Sequence, residues 1–123
     1  MGNFFTDNND IRFLFDYFDL NELAALQERE TPNGDADYCP SVDTDGSCAA
    51  DAVDNYRRTL EIIGGIAADT LAVNAEQVDA EGNTLNSDGT VTLHPLVRKN
   101  LDVLTQADMM GFTVPRKYGG GVN

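Results

Sequence analysis

The stretch CAADAVDNYRRTLEIIGGIAADTLAVNAEQVDA, Cys48 to Ala80, is the segment whose reading decides the fold. Val53, Tyr56, Leu60, Ile63, Ala67, Leu71 and Val78 recur at helical spacings, and Ile62, Ile66 and Val73 add a stripe beside them. An α-helix returns a side chain to the same face every three or four residues, so the pattern predicts one long helix. Its apolar arc is broad, which predicts a central helix with neighbours on more than one side. Gly64-Gly65 in its middle costs roughly 1 kcal/mol per glycine relative to alanine. Such a pair is expected where another helix crosses closely or where the helix bends.

Before this helix lie two shorter ones. In NNDIRFLFDYF, Ile11, Leu14, Phe15 and Phe18 fall on one face, and the acids from Asp7 to Asp10 sit at the positive end of the helix dipole. Asp19 and Glu22 have the spacing of a capping box, predicting a second helix from about Asn21 to about Arg29, stopped by Pro32, Asn33 and Gly34. After the long helix, Gly82 and Asn83 form a stop. NTLNSDGTVTLHP then reads as a loop with at most a tiny hairpin about Ser87-Asp88-Gly89. Pro95 fits the first turn of a last helix, predicted from about Pro95 to Met110. Its inner face is Val97, Leu101, Leu104, Ala107 and Gly111, and Gly111 is its C′ residue. The expectation is an all-α domain, a small bundle of about four helices, two short and N-terminal and two long, over residues 1–123. An acidic loop occupies 30–46, and 111–123 reads as a connector toward a further segment.

Composition narrows the function. The net charge of −13 sets aside nucleic acid and anionic membrane surfaces as direct partners, because both are polyanions. The basic residues Arg98, Lys99, Arg116 and Lys117 make only the last quarter locally positive, a pattern expected of a solvated face. No apolar run approaches the roughly 18–20 residues of a membrane span, and no signal peptide is legible, so the expectation is cytoplasmic. Gly2 and Thr6 match the myristoylation pattern, but the Met-Gly start reads as cloning-derived. Cys39 and Cys48 read as free thiols, with a local disulfide geometrically open.

The sequence carries little candidate chemistry. His94 is the only imidazole, which rules out a histidine-based zinc set and, placed before a proline, reads as a helix cap or surface residue. Ser47 and Cys48 have no base nearby in sequence. Asp43, Asp45 and Gly46 suggest a calcium loop, but in that register Ala52 stands where the bidentate glutamate belongs. Glu61 and Asp69 read as carboxylates on a helix surface. Gly119, Gly120 and Gly121 match neither phosphate-binding glycine pattern.

Three stretches together resemble the N-terminal helical domain of the acyl-CoA dehydrogenase family, in its larger, N-terminally extended, methylthiopropanoyl-CoA dehydrogenase-like branch. They are DIRFLFDYFDLNELAAL, AEGNTLNSDGTVTLHPLVRKNLDVL and MMGFTVPRKYGG. The first is similar to the opening helix pair of that branch, the second to its helix end, crossing and following helix, and the third to its closing Pro-x-x-Tyr-Gly-Gly passage. Pro115, Tyr118, Gly119 and Gly120 carry that last match, and the chain departs from relatives at Gly121-Val122. The resemblance implies a complete enzyme that uses FAD to remove hydrogens from Cα and Cβ of an acyl-CoA thioester, with a glutamate base and an electron-transfer flavoprotein as acceptor. It places flavin and base in later domains, so it implies no catalytic, cofactor-binding or metal residue in this chain. The chain would then wall the acyl-CoA site, pack on the other domains and tend to self-associate as a homo-oligomer. The alternative is an independent acidic helical module that binds another protein.

Overall fold

The computed structural model describes residues 2–30, 47–112, 114 and 118. Among them the chain is all-α apart from one minimal hairpin: α1 Asn9–Tyr17, α2 Leu20–Glu30, α3 Ser47–Ile66, α4 Ala72–Glu81 and α5 Pro95–Gln106. A π-helical turn, Ala67–Leu71, joins α3 to α4, so 47–81 runs on as one helical rod. The long helix and its two short predecessors therefore form as expected. The acidic loop 30–46 lies outside the described residues beyond its first position, as do Pro115, Gly119 and Gly120.

Local chemistry explains where each helix starts. The Asn8 side chain accepts hydrogen bonds from the amides of Asp10 (3.0 Å) and Ile11 (3.1 Å), two donors that the first turn cannot satisfy itself. Asp19 accepts from the Glu22 amide at 3.2 Å, the forward half of the predicted capping box. His94 caps α5, with Pro95 in the first turn. The end of α5 differs from expectation. The helix stops at Gln106, and Asp108, at φ 56°, takes the left-handed position assigned to Gly111. Aspartate tolerates this region better than most residues, so the chain can reverse there; a 3₁₀ turn, Met109–Gly111, follows.

Thr84–Leu85 and Val91–Thr92 pair antiparallel, Thr84 opposite Thr92 and Leu85 opposite Val91. Gly89, at φ 83°, supplies the left-handed residue of the tight connection. Asp88 accepts from the amide (3.0 Å) and hydroxyl (2.7 Å) of Thr90, which holds its carboxyl below the usual carboxylate range. The base of the hairpin closes where the His94 amide donates to Asn83 Oδ1 at 2.9 Å. Helix α5 thereby returns along α4, where Asn74 Nδ2 donates to Asn100 Oδ1 at 2.8 Å.

The core is small and built from small side chains. Ala24 of α2 and Ala49 and Ala52 of α3 are buried together, with Ala25, Val53 and Tyr56 packed around them. Alanines let two helices approach closely but bury little apolar area each. Among the described residues no large side chain is completely buried. The second stripe of the long helix is correspondingly incomplete: Ile66 is half-buried, but Ile62 and Val73 are 51% and 72% exposed.

At Gly64-Gly65 the close approach is made by a non-helical segment. The N-terminal segment docks there. Asn3 Nδ2 donates to the Glu61 carbonyl at 2.8 Å, and the Phe4 amide donates to the Gly64 carbonyl at 3.1 Å. A Cβ on Gly64 would collide with Asn3 Oδ1 and lie 2.8 Å from the Phe5 nitrogen, so the approach requires glycine. Asn3 Oδ1 meanwhile accepts from the amides of Phe5 (2.9 Å) and Thr6 (3.0 Å), folding the segment into a turn that buries Phe5. The π turn begins just beyond this contact.

Cys48 is buried and disulfide-bonded, which overturns the free-thiol expectation; the chain's other cysteine, Cys39, lies outside the described residues. Disulfides persist in oxidising surroundings, and an acidic composition does not report on the redox state of those surroundings.

Candidate docking surface

The one imidazole has a structural task. The Leu96 amide donates to His94 Nδ1 at 3.1 Å, so in the neutral ring the proton sits on Nε2. That nitrogen faces Glu81 Oε2 at 2.8 Å. Both ring nitrogens are thus engaged and the residue is buried at 8% exposure, leaving neither free to move a proton for a substrate. Glu81 is held below the usual carboxylate range first by the hydrogen bond from His94 and then by that from Gln77 Nε2, at 2.8 Å. Among the described residues no group of three or more His, Cys, Asp or Glu is placed to hold a metal ion. No described helix is long and apolar enough to cross a membrane.

What stands out is the placement of α1. Arg57 of α3 bonds Asp16 at 2.8 Å and lies over the Phe15 ring, 4.6 Å from its centroid. Phe15 in turn meets Phe5 edge-on, with centroids 5.6 Å apart. At 100° per residue Phe15, Arg12 and Asp16 share one side of the helix, so this is the side that faces the body of the protein. The other side carries Phe13, Tyr17, Leu14 and Ile11 over an arc of about 160°. They are 59%, 77%, 50% and 41% exposed, with Phe18 just beyond the helix at 60%. Phe13 and Tyr17 stack on each other, centroids 4.6 Å apart, rather than on the core.

The helix is therefore anchored by a cation and an ion pair, with most of its apolar surface turned outward. Of the predicted inner face, only Phe15 points inward; Ile11, Leu14 and Phe18 do not. Hydrophobic periodicity finds a stripe but cannot say which side of a mostly apolar helix is covered. Phe13 and Tyr17 were missed for that reason, although an aromatic pair at i, i+4 was visible in the sequence. Exposed Leu23 and Leu26 extend the apolar character into α2. A contiguous aromatic arc of this kind marks an interaction site more often than scattered surface hydrophobics do.

The charges on α1 are divided, with Arg12 and Asp16 on the anchored side and Asp10 on the outward one. Asp10 lies within the outward arc, between Tyr17 and Leu14 in angle, and no basic residue stands in the last turn. The cation beside that turn is instead Arg57 of α3, on Asp16 and over Phe15, and Asp19 and Glu22 follow directly in sequence.

Of the sequence-predicted terminal motif, only Tyr118 is described, and it is 74% exposed. No family model, curated protein or solved structure matches the chain.

Proposed function

We propose that the chain is the N-terminal helical domain of an FAD-dependent acyl-CoA dehydrogenase, inert alone, which walls the acyl-CoA site and packs against the domains that hold flavin and base. The reading rests on the resemblance of its three stretches to that family. The single structural observation that supports it is the outward apolar face of α1, which is what a domain separated from its neighbours presents.

The test is direct. The purified chain is expected to be colourless, and FAD titration is expected to leave flavin fluorescence and absorbance unchanged. Stoichiometric flavin co-purifying with the chain would overturn the assignment of the cofactor to other domains. The coding frame after Asn123 is expected to continue for several hundred residues with an acyl-CoA site in it. An exposed aromatic face is also what an independent acidic interaction module presents, and a frame that stops would favour that second reading.

A further inference from the structure

Residues 2–18 are held to α3 at two points of different chemistry. At the first, the strap formed by residues 2–6 lies on the helix: Asn3 Nδ2 donates to the Glu61 carbonyl at 2.8 Å and the Phe4 amide to the Gly64 carbonyl at 3.1 Å. At the second, Arg57 bonds Asp16 at 2.8 Å and covers the Phe15 ring. Other support is thin. No residue of α1 is buried, and its backbone approaches other elements only at isolated positions, whereas α2 packs along α3 about the alanine core.

The strap and α1 are also bound to each other. Buried Phe5 of the strap meets Phe15 of α1 edge-on, Asn8 caps α1 at the junction, and Arg12 Nη1 donates to the Thr6 carbonyl at 3.4 Å. Loss of either attachment to α3 therefore removes a packing partner from the other. At the far end Phe18 is extended, with φ −76° and ψ 145°, and forms a joint before α2.

A helix of nine residues does not persist alone in water, where roughly 12–15 are needed even for favourable sequences. Helix α1 is thus ordered only while docked. Its outward aromatic arc depends on the same condition, because Phe13 and Tyr17 share a side only in the helix.

We infer that residues 2–18 form a clasp that opens and closes on α3 as one unit, with the Asn3–Gly64 contact and the Arg57 contact as its two latches. Shut, the clasp displays the aromatic arc. Open, α1 unfolds and the arc is dismantled, while α2 and α3 keep the alanine core. Thin burial places such an opening below global unfolding in free energy. The fold thereby carries a switch that controls when its apolar face is presented.

Hydrogen exchange of the full chain, followed by NMR, tests the clasp. The amides of Phe4, Arg12 and Phe18 donate to the carbonyls of Gly64, Asn8 and Leu14. They are expected to share one protection factor, at least about tenfold below that of Ala52 in the core. Gly64→Ala strikes the strap alone, yet it is expected to lower protection of all three amides by a common factor of at least about fivefold. Arg57→Gln strikes the other latch and is expected to lower the same three together by about fivefold, the combined effect of an exposed ion pair and a cation–π contact. Gly65→Ala, at ordinary contact distance from Asn3, is expected to leave them unchanged. Three results would overturn the inference: Gly64→Ala exposing Phe4 while Arg12 and Phe18 keep their protection, Arg57→Gln doing the reverse, or α1 amides that are either unprotected or as protected as Ala52.

Discussion

Two adjacent glycines of this chain have opposite requirements. Gly64 is buried under the N-terminal turn, and a methyl group there meets Asn3 and the Phe5 backbone. Gly64→Ala is expected to lower stability by about 1–3 kcal/mol, the usual effect of overpacking, and to release residues 2–7. At Gly65 the nearest obstacle is Asn3 Nδ2 at 3.7 Å, ordinary contact distance. Gly65→Ala is therefore expected to raise stability by about 0.5–1 kcal/mol through helix propensity. Urea unfolding of the two variants side by side checks the difference in sign. A glycine pair is visible in any sequence, but which member is needed depends on an asparagine some sixty positions away. Asn3 itself carried no signal, because its role comes from being delivered to the surface of α3.

At the scale of the element, the start of α5 and the π turn make separate predictions. His94 supplies a cap through Nδ1 and a partner for Glu81 through Nε2. His94→Ala is expected to cost about 1 kcal/mol, whereas His94→Asn keeps a capping acceptor and loses only the link to Glu81. The sign of the pH dependence follows from Glu81 and Asp88, whose carboxyls are both lowered from ordinary values of 4.5 and 3.8. A group lowered in the folded state contributes stability that is complete above its unfolded pKa and lost as the pH falls through its folded one. Acid unfolding is thus expected to steepen below about pH 4, and His94→Asn is expected to reduce the Glu81 part of that dependence, leaving what Gln77 contributes. Thermal melts from pH 7 to pH 2 measure both. The π turn accommodates an extra residue relative to an α-helix. Deleting exposed Asp69 is therefore expected to be tolerated, with the Asn74–Asn100 contact kept, whereas deleting Arg58 from α3 rotates every later side chain. A smaller loss of melting temperature for the first deletion is the expected outcome. Helix existence and starts were legible from periodicity and caps. The C-terminal end of α5 was not, because a left-handed residue is chosen by the turn that follows.

For the whole molecule, two forces oppose each other: an apolar face that favours association and a charge of −13 that resists it. The chain is expected to be monomeric at low salt and to self-associate weakly as salt screens the repulsion, an effect that Phe13→Ser should suppress in sedimentation velocity runs. Reduction of the Cys48 disulfide is expected to destabilise the α2/α3 alanine core by about 2–4 kcal/mol, read as a lower urea midpoint with dithiothreitol. By itself the sequence determined the all-α class, the order and starts of the helices, the hairpin turn and the structural task of His94. Each of these depends on periodicity, caps or turn chemistry within a few residues. Only the tertiary structure decided that Gly64 receives the N-terminal turn, that Cys48 is oxidised and that α1 faces outward with its aromatic side. These depend on which distant surfaces meet, and a helix that is apolar around most of its circumference leaves that choice to its anchors, here Arg57 with Asp16 and Phe15.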